Sequence, residues 1–415
     1  MLIYKPILHS NTNRIMKTVT DKTQIEEIFA RGQVVDVLPS KAEFIEALTS
    51  GKRLKMYIGF DPTFTALHLG HAKNIMFMEE LRKLGHEIII LFGDFTAQIG
   101  DPSDKGATRK QLTADQVKEN VAGWIDQVKP LINFNDSENP AKIEYNSTWL
   151  SKLNFTDVVN LASNFTVQQM LERDMFAKRL KENTPIHLHE FMYPLMQGYD
   201  SVAMDVDVEV CGTDQTFNAL AGRTLLKRLK NKDKFVVALN LVANPKTGEL
   251  MSKSNGTGVF INLPPNELFG AIMALPDPMI EPLFQFCTRI PLNEKDSLMA
   301  KGPRDAKVAI AKDIVKRFHG EEVSDRAVEA FENTFSKGGL PEDILEINFN
   351  AASGESLPDL LIKADIIPSK AEWRRLIDGG AVRLENDEKI TDPSFSPKET
   401  MVLKIGKRRF VKVIV

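Results

Sequence analysis

Apolar residues change their spacing along this chain, and the changes mark its elements. Thr23 to Arg31 and Lys41 to Leu48 carry them at helical spacing, which predicts two short amphipathic helices. Lys55 to Phe60 is a nearly continuous apolar run ended by Asp61-Pro62, the pattern of a buried strand. Ala72 to Leu84 reads as a helix stopped by Gly85, and Glu87 to Phe92 as a second buried strand. Strand, helix and strand at this spacing predict a parallel pair with a right-handed crossover. From about Thr113 to His189 the pattern is mainly helical. Val208–Gly212 predicts a strand, Gln215–Leu229 a helix and Phe235–Val242 a further strand.

These elements predict an α/β fold, a doubly wound parallel-sheet (Rossmann-type) domain with a helical insertion. Helices broken at Pro276, Pro278, Pro291 and Gly302-Pro303 follow, then a polar, weakly periodic stretch from Gly338 to Glu355. The last 60 residues predict a small separate α+β module. Its helix spans Ser369–Ile377 and stops at Gly379-Gly380; its strands are Ala381–Leu384, Met401–Lys404 and Phe410–Val415. No internal repeat or low-complexity tract interrupts the chain.

A length of 415 residues allows two or three domains with a large core. A net charge of −3 argues against a general polyanion binder, but the charge is uneven. Residues 396–415 hold Lys398, Lys404, Lys407, Arg408, Arg409 and Lys412 against one acid, Glu399. Such an end suits nucleic acid or, equally, a solvated basic strand edge. Cys211 and Cys287 are too few for a disulfide framework, which fits a reducing cytoplasm. No apolar run reaches membrane-spanning length, so no membrane partner is expected. Residues 1–21 read as a disordered extension or a start upstream of Met16, with a transit peptide as the alternative.

Two strings carry chemistry. His68-Leu69-Gly70-His71 lies where a strand passes into a helix. There two imidazoles stand beside unpaired helix N–H groups, and a glycine admits a ligand to the backbone. Met251-Ser252-Lys253-Ser254 opens a Ser/Lys/Gly loop able to bring an ammonium to the same phosphates. Together they point to adenylyl transfer from a nucleoside triphosphate. Neither a Gly-x-x-x-x-Gly-Lys-Ser/Thr loop nor a Gly-x-Gly-x-x-Gly fingerprint is present. A metal site is not expected: His86 lies beyond the following helix, and His187-Leu188-His189-Glu190 reads as ordinary histidines.

Five segments, in order and in register, resemble bacterial-type tyrosyl-tRNA synthetases, which are class I aminoacyl-tRNA synthetases. They are Tyr57 to His71, Gly93 to Ser103, Tyr193 to Asp200, Gly212 to Gln215 and Met251 to Ser254. The resemblance covers nearly everything after Asp21. It implies that L-tyrosine is activated by ATP to tyrosyl-adenylate and then passed to tRNA(Tyr). ATP is then a substrate accompanied by Mg²⁺, with no tightly bound cofactor, and the protein a cytoplasmic homodimer. The implied division is a catalytic domain at 22–262, with an insertion at 113–190 and a signature loop at 250–256. An anticodon-binding helical region at 263–337, a linker at 338–355 and an RNA-binding module at 356–415 follow.

By the same resemblance His68 and His71 donate to the phosphates, Thr63 to the leaving pyrophosphate, and Lys253 swings in as charge develops. Gly59, Asp61 and Gly70 belong with the ATP contacts. Lys105 and Arg109 take positions for further pyrophosphate contacts, an exposed basic loop being the equal alternative. Tyr57 and Asp200 reach the phenol hydroxyl of the substrate, while Asp101, Tyr193 and Gln197 hold its ammonium. Gln215 approaches the reacting carboxylate, and Gly212 and Asp214 face the ribose. One departure stands out: Leu250 replaces the first lysine of Lys-Met-Ser-Lys-Ser, with Lys246 upstream as a possible substitute.

The module from Ser356 resembles a small RNA-binding domain first known from a ribosomal protein. Lys370, Arg374 and Arg375 make one helix edge basic, and with Lys407 and Arg408 they are the expected tRNA contacts. Three other readings compete, one of them a non-catalytic RNA-binding or regulatory paralogue, disfavoured because His68, His71 and Lys253 remain. A tryptophanyl-tRNA synthetase is disfavoured by Tyr57 and Asp200, since an indole offers only an N–H donor. A small-molecule nucleotidylyltransferase has no use for an RNA-binding module.

Overall fold

The computed structural model describes residues 16–101, 112–252, 256–336, 344–350, 356–385, 388–406 and 409–415. The chain divides into two compact units, Met1–Ser324 and Asp325–Val415. The residues 1–15 of the N-terminal extension lie outside the described set.

The first unit is built on β1 (Val34–Leu38), β2 (Lys55–Phe60), β3 (Glu87–Phe92), β4 (Lys142–Tyr145), β5 (Val208–Gly212) and β6 (Phe235–Leu239). Their order across the sheet is β1-β6-β5-β2-β3-β4. All neighbours are parallel except β1, which runs antiparallel to β6. The central strands β2, β3, β5 and β6 are largely apolar and buried because helices cover both faces, as parallel sheets require. The chain leaves β2 in one direction through β3 and β4, then returns on the other side with β5 and β6. A crevice therefore opens at the carboxyl ends of β2 and β5, where such sheets bind ligands.

That crevice is widened by where pairing stops. β2 and β5 are in register only at Met56↔Val208 and Tyr57↔Glu209. Beyond those positions the two strands carry on to Phe60 and Gly212 without pairing.

The strands at Lys55–Phe60, Glu87–Phe92 and Val208–Gly212 occupy the expected residues. β1 and β4 were not expected. β4 lies inside the stretch read as a helical insertion and forms a sheet edge next to β3. Its four residues, Lys-Ile-Glu-Tyr, are too short and polar to stand out from helical neighbours. The helices from Pro265 to His319 belong to the first unit, anchored by Arg31, which donates to the carbonyls of Gln285 and Ile290 at 3.2 and 2.7 Å.

The second unit has the sheet order β7-β10-β9-β8, with β7 at Leu345–Asn348, β8 at Val382–Leu384, β9 at Met401–Ile405 and β10 at Arg409–Ile414. Leu361, Trp373, Ile377, Leu403, Val411 and Val413 make its core. β7 corrects the expectation of a featureless linker at 338–355. It pairs parallel with β10, and this distant partner, unlike a hairpin, leaves no local turn signal.

Candidate active site

A cavity of 870 Å³ sits at the carboxyl ends of the parallel strands. Every expected small-molecule contact that the structure describes lines it. Those residues are Tyr57, Gly59, Asp61, Thr63, His68, Gly70, His71, Asp101, Tyr193, Gln197, Asp200, Gly212, Asp214 and Gln215. Lys105, Arg109 and Lys253 lie outside the described residues, although Leu250, Met251 and Ser252 bring the signature loop to the cavity wall. Lys246 is exposed and away from the lining.

The helix Leu69–Lys83 starts one residue later than His68, which caps it in extended backbone conformation. Nδ1 of His68 accepts from the N–H of Gly70 at 3.1 Å, and Nδ1 of His71 accepts from the N–H of His68 at 3.3 Å. A ring nitrogen that accepts carries no proton, so this network assigns the proton of each neutral ring to Nε2. Burial lowers His68 to about 4. It holds His71 well below the usual range too, helped by His68 and by Lys73. Both rings are thus neutral Nε2–H donors near pH 7, beside the positive end of a helix. A Cβ on Gly70 would stand 2.8 Å from the His68 ring, so this position admits only glycine without moving the imidazole.

At the other end of the cavity lies a buried polar floor. Asp200 accepts from Nε1 of Trp149 at 2.7 Å and from Nδ2 of Asn146 at 3.4 Å. Burial drives its carboxyl well above the usual range, opposed by those two donors and reinforced by Glu209 and Asp61. The Tyr57 hydroxyl pairs with Oγ of Ser201 at 3.0 Å, and burial raises its pKa well above the usual value. Between floor and mouth, Tyr193 donates to Asp61 at 2.8 Å and Thr96 donates to the same carboxylate at 2.7 Å. Gln215 donates to Asp101 at 2.7 Å, and Asn218 donates to Gln197 and Gln215, both at 2.9 Å.

Chemically, the cavity offers acceptors at its base and donors at its mouth. An aromatic ring with a donating substituent fits the first, and a phosphate chain fits the second. Among the described residues no group of three His, Cys, Asp or Glu is placed to hold a metal ion. His86 is buried, with Nδ1 accepting from Leu54 at 3.3 Å. His187 and His189 reach the cavity wall at the start of the helix Leu188–Met204.

Sequence reasoning missed Asn146, Trp149, Ser201, Glu209 and Asn218. Only Glu209 left a signal, a charge in the middle of the buried run Val208–Gly212. The others come from segments whose contact with the floor is set by tertiary packing.

In the second unit, Lys370 and Arg374 flank a 410 Å³ depression beside Trp373. Lys370 is paired with Asp359 at 2.7 Å, and Arg375 with Glu372 at 2.9 Å. The basic helix edge is therefore partly neutralised, by exposed pairs that are weak and easily exchanged. Lys407 and Arg408 lie outside the described residues.

Comparisons with known proteins agree on one family. The model of tRNA synthetases class I (W and Y) matches residues 49–336. A tyrosine–tRNA ligase of Carboxydothermus hydrogenoformans is 42% identical over 407 residues, covering 94% of this chain and 97% of that protein. One from Haemophilus influenzae is 38% identical, with coverage of 95% and 98%. Among solved structures, a C-terminally truncated mitochondrial tyrosyl-tRNA synthetase of Aspergillus nidulans superposes with a TM-score of 0.65. It is 22% identical and covers 75% of this chain and 94% of its own, a likeness of fold.

Proposed function

The chain belongs to the tyrosine–tRNA ligases, within the class I tRNA synthetases, and we propose that the cavity at β2 and β5 is its activation site. The activity is the family's: L-tyrosine and ATP give tyrosyl-adenylate and pyrophosphate, and the tyrosyl group then passes to the 3′-terminal adenosine of tRNA(Tyr).

In this reading the tyrosine ring lies between Tyr57 and Asp200, and its ammonium meets Asp101, Tyr193 and Gln197. A carboxylate oxygen attacks the α-phosphorus of ATP while the bond to the β-phosphate oxygen breaks. No enzyme nucleophile and no proton transfer are needed, so positioning and charge stabilisation carry the rate. The Nε2–H groups of His68 and His71 donate to the phosphate oxygens as negative charge builds. Thr63 and Lys253 serve the leaving pyrophosphate, Lys105 and Arg109 extend those contacts, and Gly212 and Asp214 hold the ribose. Mg²⁺ comes with ATP, held by phosphate oxygens and water. The second unit supplies tRNA contacts through Lys370, Arg374, Arg375, Lys407 and Arg408.

The observation that carries this reading is one cavity with Asp200 and Tyr57 at its base and two neutral imidazoles at its mouth. Amino-acid-dependent exchange of pyrophosphate into ATP tests it. Exchange should require tyrosine, and stimulation by tryptophan or by no amino acid would overturn it. The homodimer and the cytoplasmic location are proposals too, tested by light scattering and cell fractionation.

A further inference from the structure

In and behind the floor of the cavity, whose wall Glu209 itself lines, lies a set of buried polar groups that the reaction does not use directly. Lys234, Glu209 and Ser201 are each 1% exposed or less. Lys234 ion-pairs with Glu209 and donates to Oγ of Ser201 at 2.8 Å. Ser201 donates its single proton to Glu209 at 3.2 Å. Glu209 also accepts from Nε2 of Gln197 at 3.0 Å. Space for the cation is left by Gly222, where a Cβ would come 2.6 Å from Nζ of Lys234 and 2.8 Å from Oγ of Ser201.

The donor count fixes a direction. A serine hydroxyl has one proton and two lone pairs. Its proton goes to Glu209 and one lone pair takes Lys234, so only an accepting site remains for Tyr57. The bond between Tyr57 and Ser201 therefore runs from the tyrosine to the serine, and the Tyr57 oxygen presents a lone pair to the cavity. The substrate phenol carries one proton, so it donates to one of the two floor oxygens, that of Tyr57 or of Asp200. Gln197 is set by the same carboxylate: its amide nitrogen points to Glu209, and its oxygen is taken by Asn218 at 2.9 Å.

We propose that Lys234, acting with Glu209 and Ser201, is a positioning residue that fixes the hydroxyl of Tyr57 and the amide of Gln197. It thereby makes the floor an acceptor surface selective for a ring that donates a hydrogen bond. The inference rests on the reading of this cavity as the tyrosine site. Lys234 touches no substrate; it works through two residues at opposite ends of the amino acid. Without the cation, Glu209 is a lone buried charge beside Asp200, and Ser201 loses the donor that holds its oxygen in place against Tyr57.

Pyrophosphate exchange on the full chain, with tyrosine and phenylalanine as alternative substrates, tests this. Lys234→Met alone strands Glu209 and is expected to lower Tm, so the working variants are the charge-neutral Lys234→Met/Glu209→Gln and, separately, Ser201→Ala. In both, KM for tyrosine should rise about tenfold and the preference for tyrosine over phenylalanine should fall by a similar factor, the worth of one buried hydrogen bond. KM for ATP should stay within about twofold, because no phosphate contact changes. If the neutral pair fails to fold, Ser201→Ala, which leaves the ion pair intact, decides alone. Unchanged tyrosine KM and unchanged preference would overturn the inference, as would equal rises in both KM values. A wild-type chain without tyrosine-dependent exchange would instead overturn the reading of the cavity, and this inference with it.

Discussion

Tyr57 and Glu209 face each other at the last register pair of β2 and β5, and beyond them the two strands part. The position explains why both side chains are buried and yet line the cavity. Pairing holds their backbones rigid, while the divergence above them makes room for a ligand. A site placed on strands at such a fork is held more firmly than one on loops.

Asp200 should decide which amino acid is activated. Asp200→Ala should retain its fold and lose roughly 10³-fold or more in kcat/KM for tyrosine, since a buried polar contact is removed from the binding site. Trp149→Phe removes one donor to Asp200 and should cost about tenfold, chiefly in KM for tyrosine. Exchange kinetics check both, and wild-type-like rates for Asp200→Ala would refute the placement of the phenol.

Gly70→Ala should separate phosphate handling from amino-acid binding. The new Cβ would meet the His68 ring at 2.8 Å and displace the imidazole from the helix start. kcat for exchange should fall about 10²-fold, the scale of one misplaced transition-state donor, with KM for tyrosine little changed. A rise confined to tyrosine KM would count against the assignment of His68.

Acid should weaken the fold through buried neutral histidines. His68 and His86 are both lowered to about 4 by burial. Above pH 6.5 folded and unfolded chains hold these rings neutral, so there is no cost. As pH falls from 6.5 toward 4, the unfolded chain takes up protons that the folded chain refuses, and stability is lost. His86→Gln should lower Tm at pH 7.5 but lose less of it by pH 4.5 than wild type does. Parallel Tm curves for the two proteins would contradict this.

Removing residues 337–415, most of the second unit, should spare adenylate formation. The cut belongs after Ser336, because β7 pairs with β10 and would be left alone by a cut at Ser356. Exchange should remain within about twofold, while charging of tRNA should fall more than about tenfold and grow less salt-dependent as phosphate contacts are lost. Undiminished charging by the truncated chain would remove the second unit from tRNA binding.

Much of the layout of the cavity was legible because its signals are local. Strand runs at Lys55–Phe60, Glu87–Phe92 and Val208–Gly212 bury both faces and so stay apolar throughout. His68, Gly70 and His71 sit within one helical turn, where spacing alone dictates proximity. β4 and β7 were not legible: each is four residues long, and the partner that makes it a strand lies far away in sequence.

The chain's order of residues determined the parallel-sheet core, the imidazole pair at a helix start and the group of side chains gathered around one cavity. Tertiary structure alone decided which of those side chains meet. Trp149 and Asn146 reach Asp200 from the segment after β4, and Lys234 reaches Ser201 across 33 residues. Periodicity reports whether a residue faces the interior. It carries no record of which buried group waits there, because that depends on where strands diverge and how separate helices pack onto the sheet.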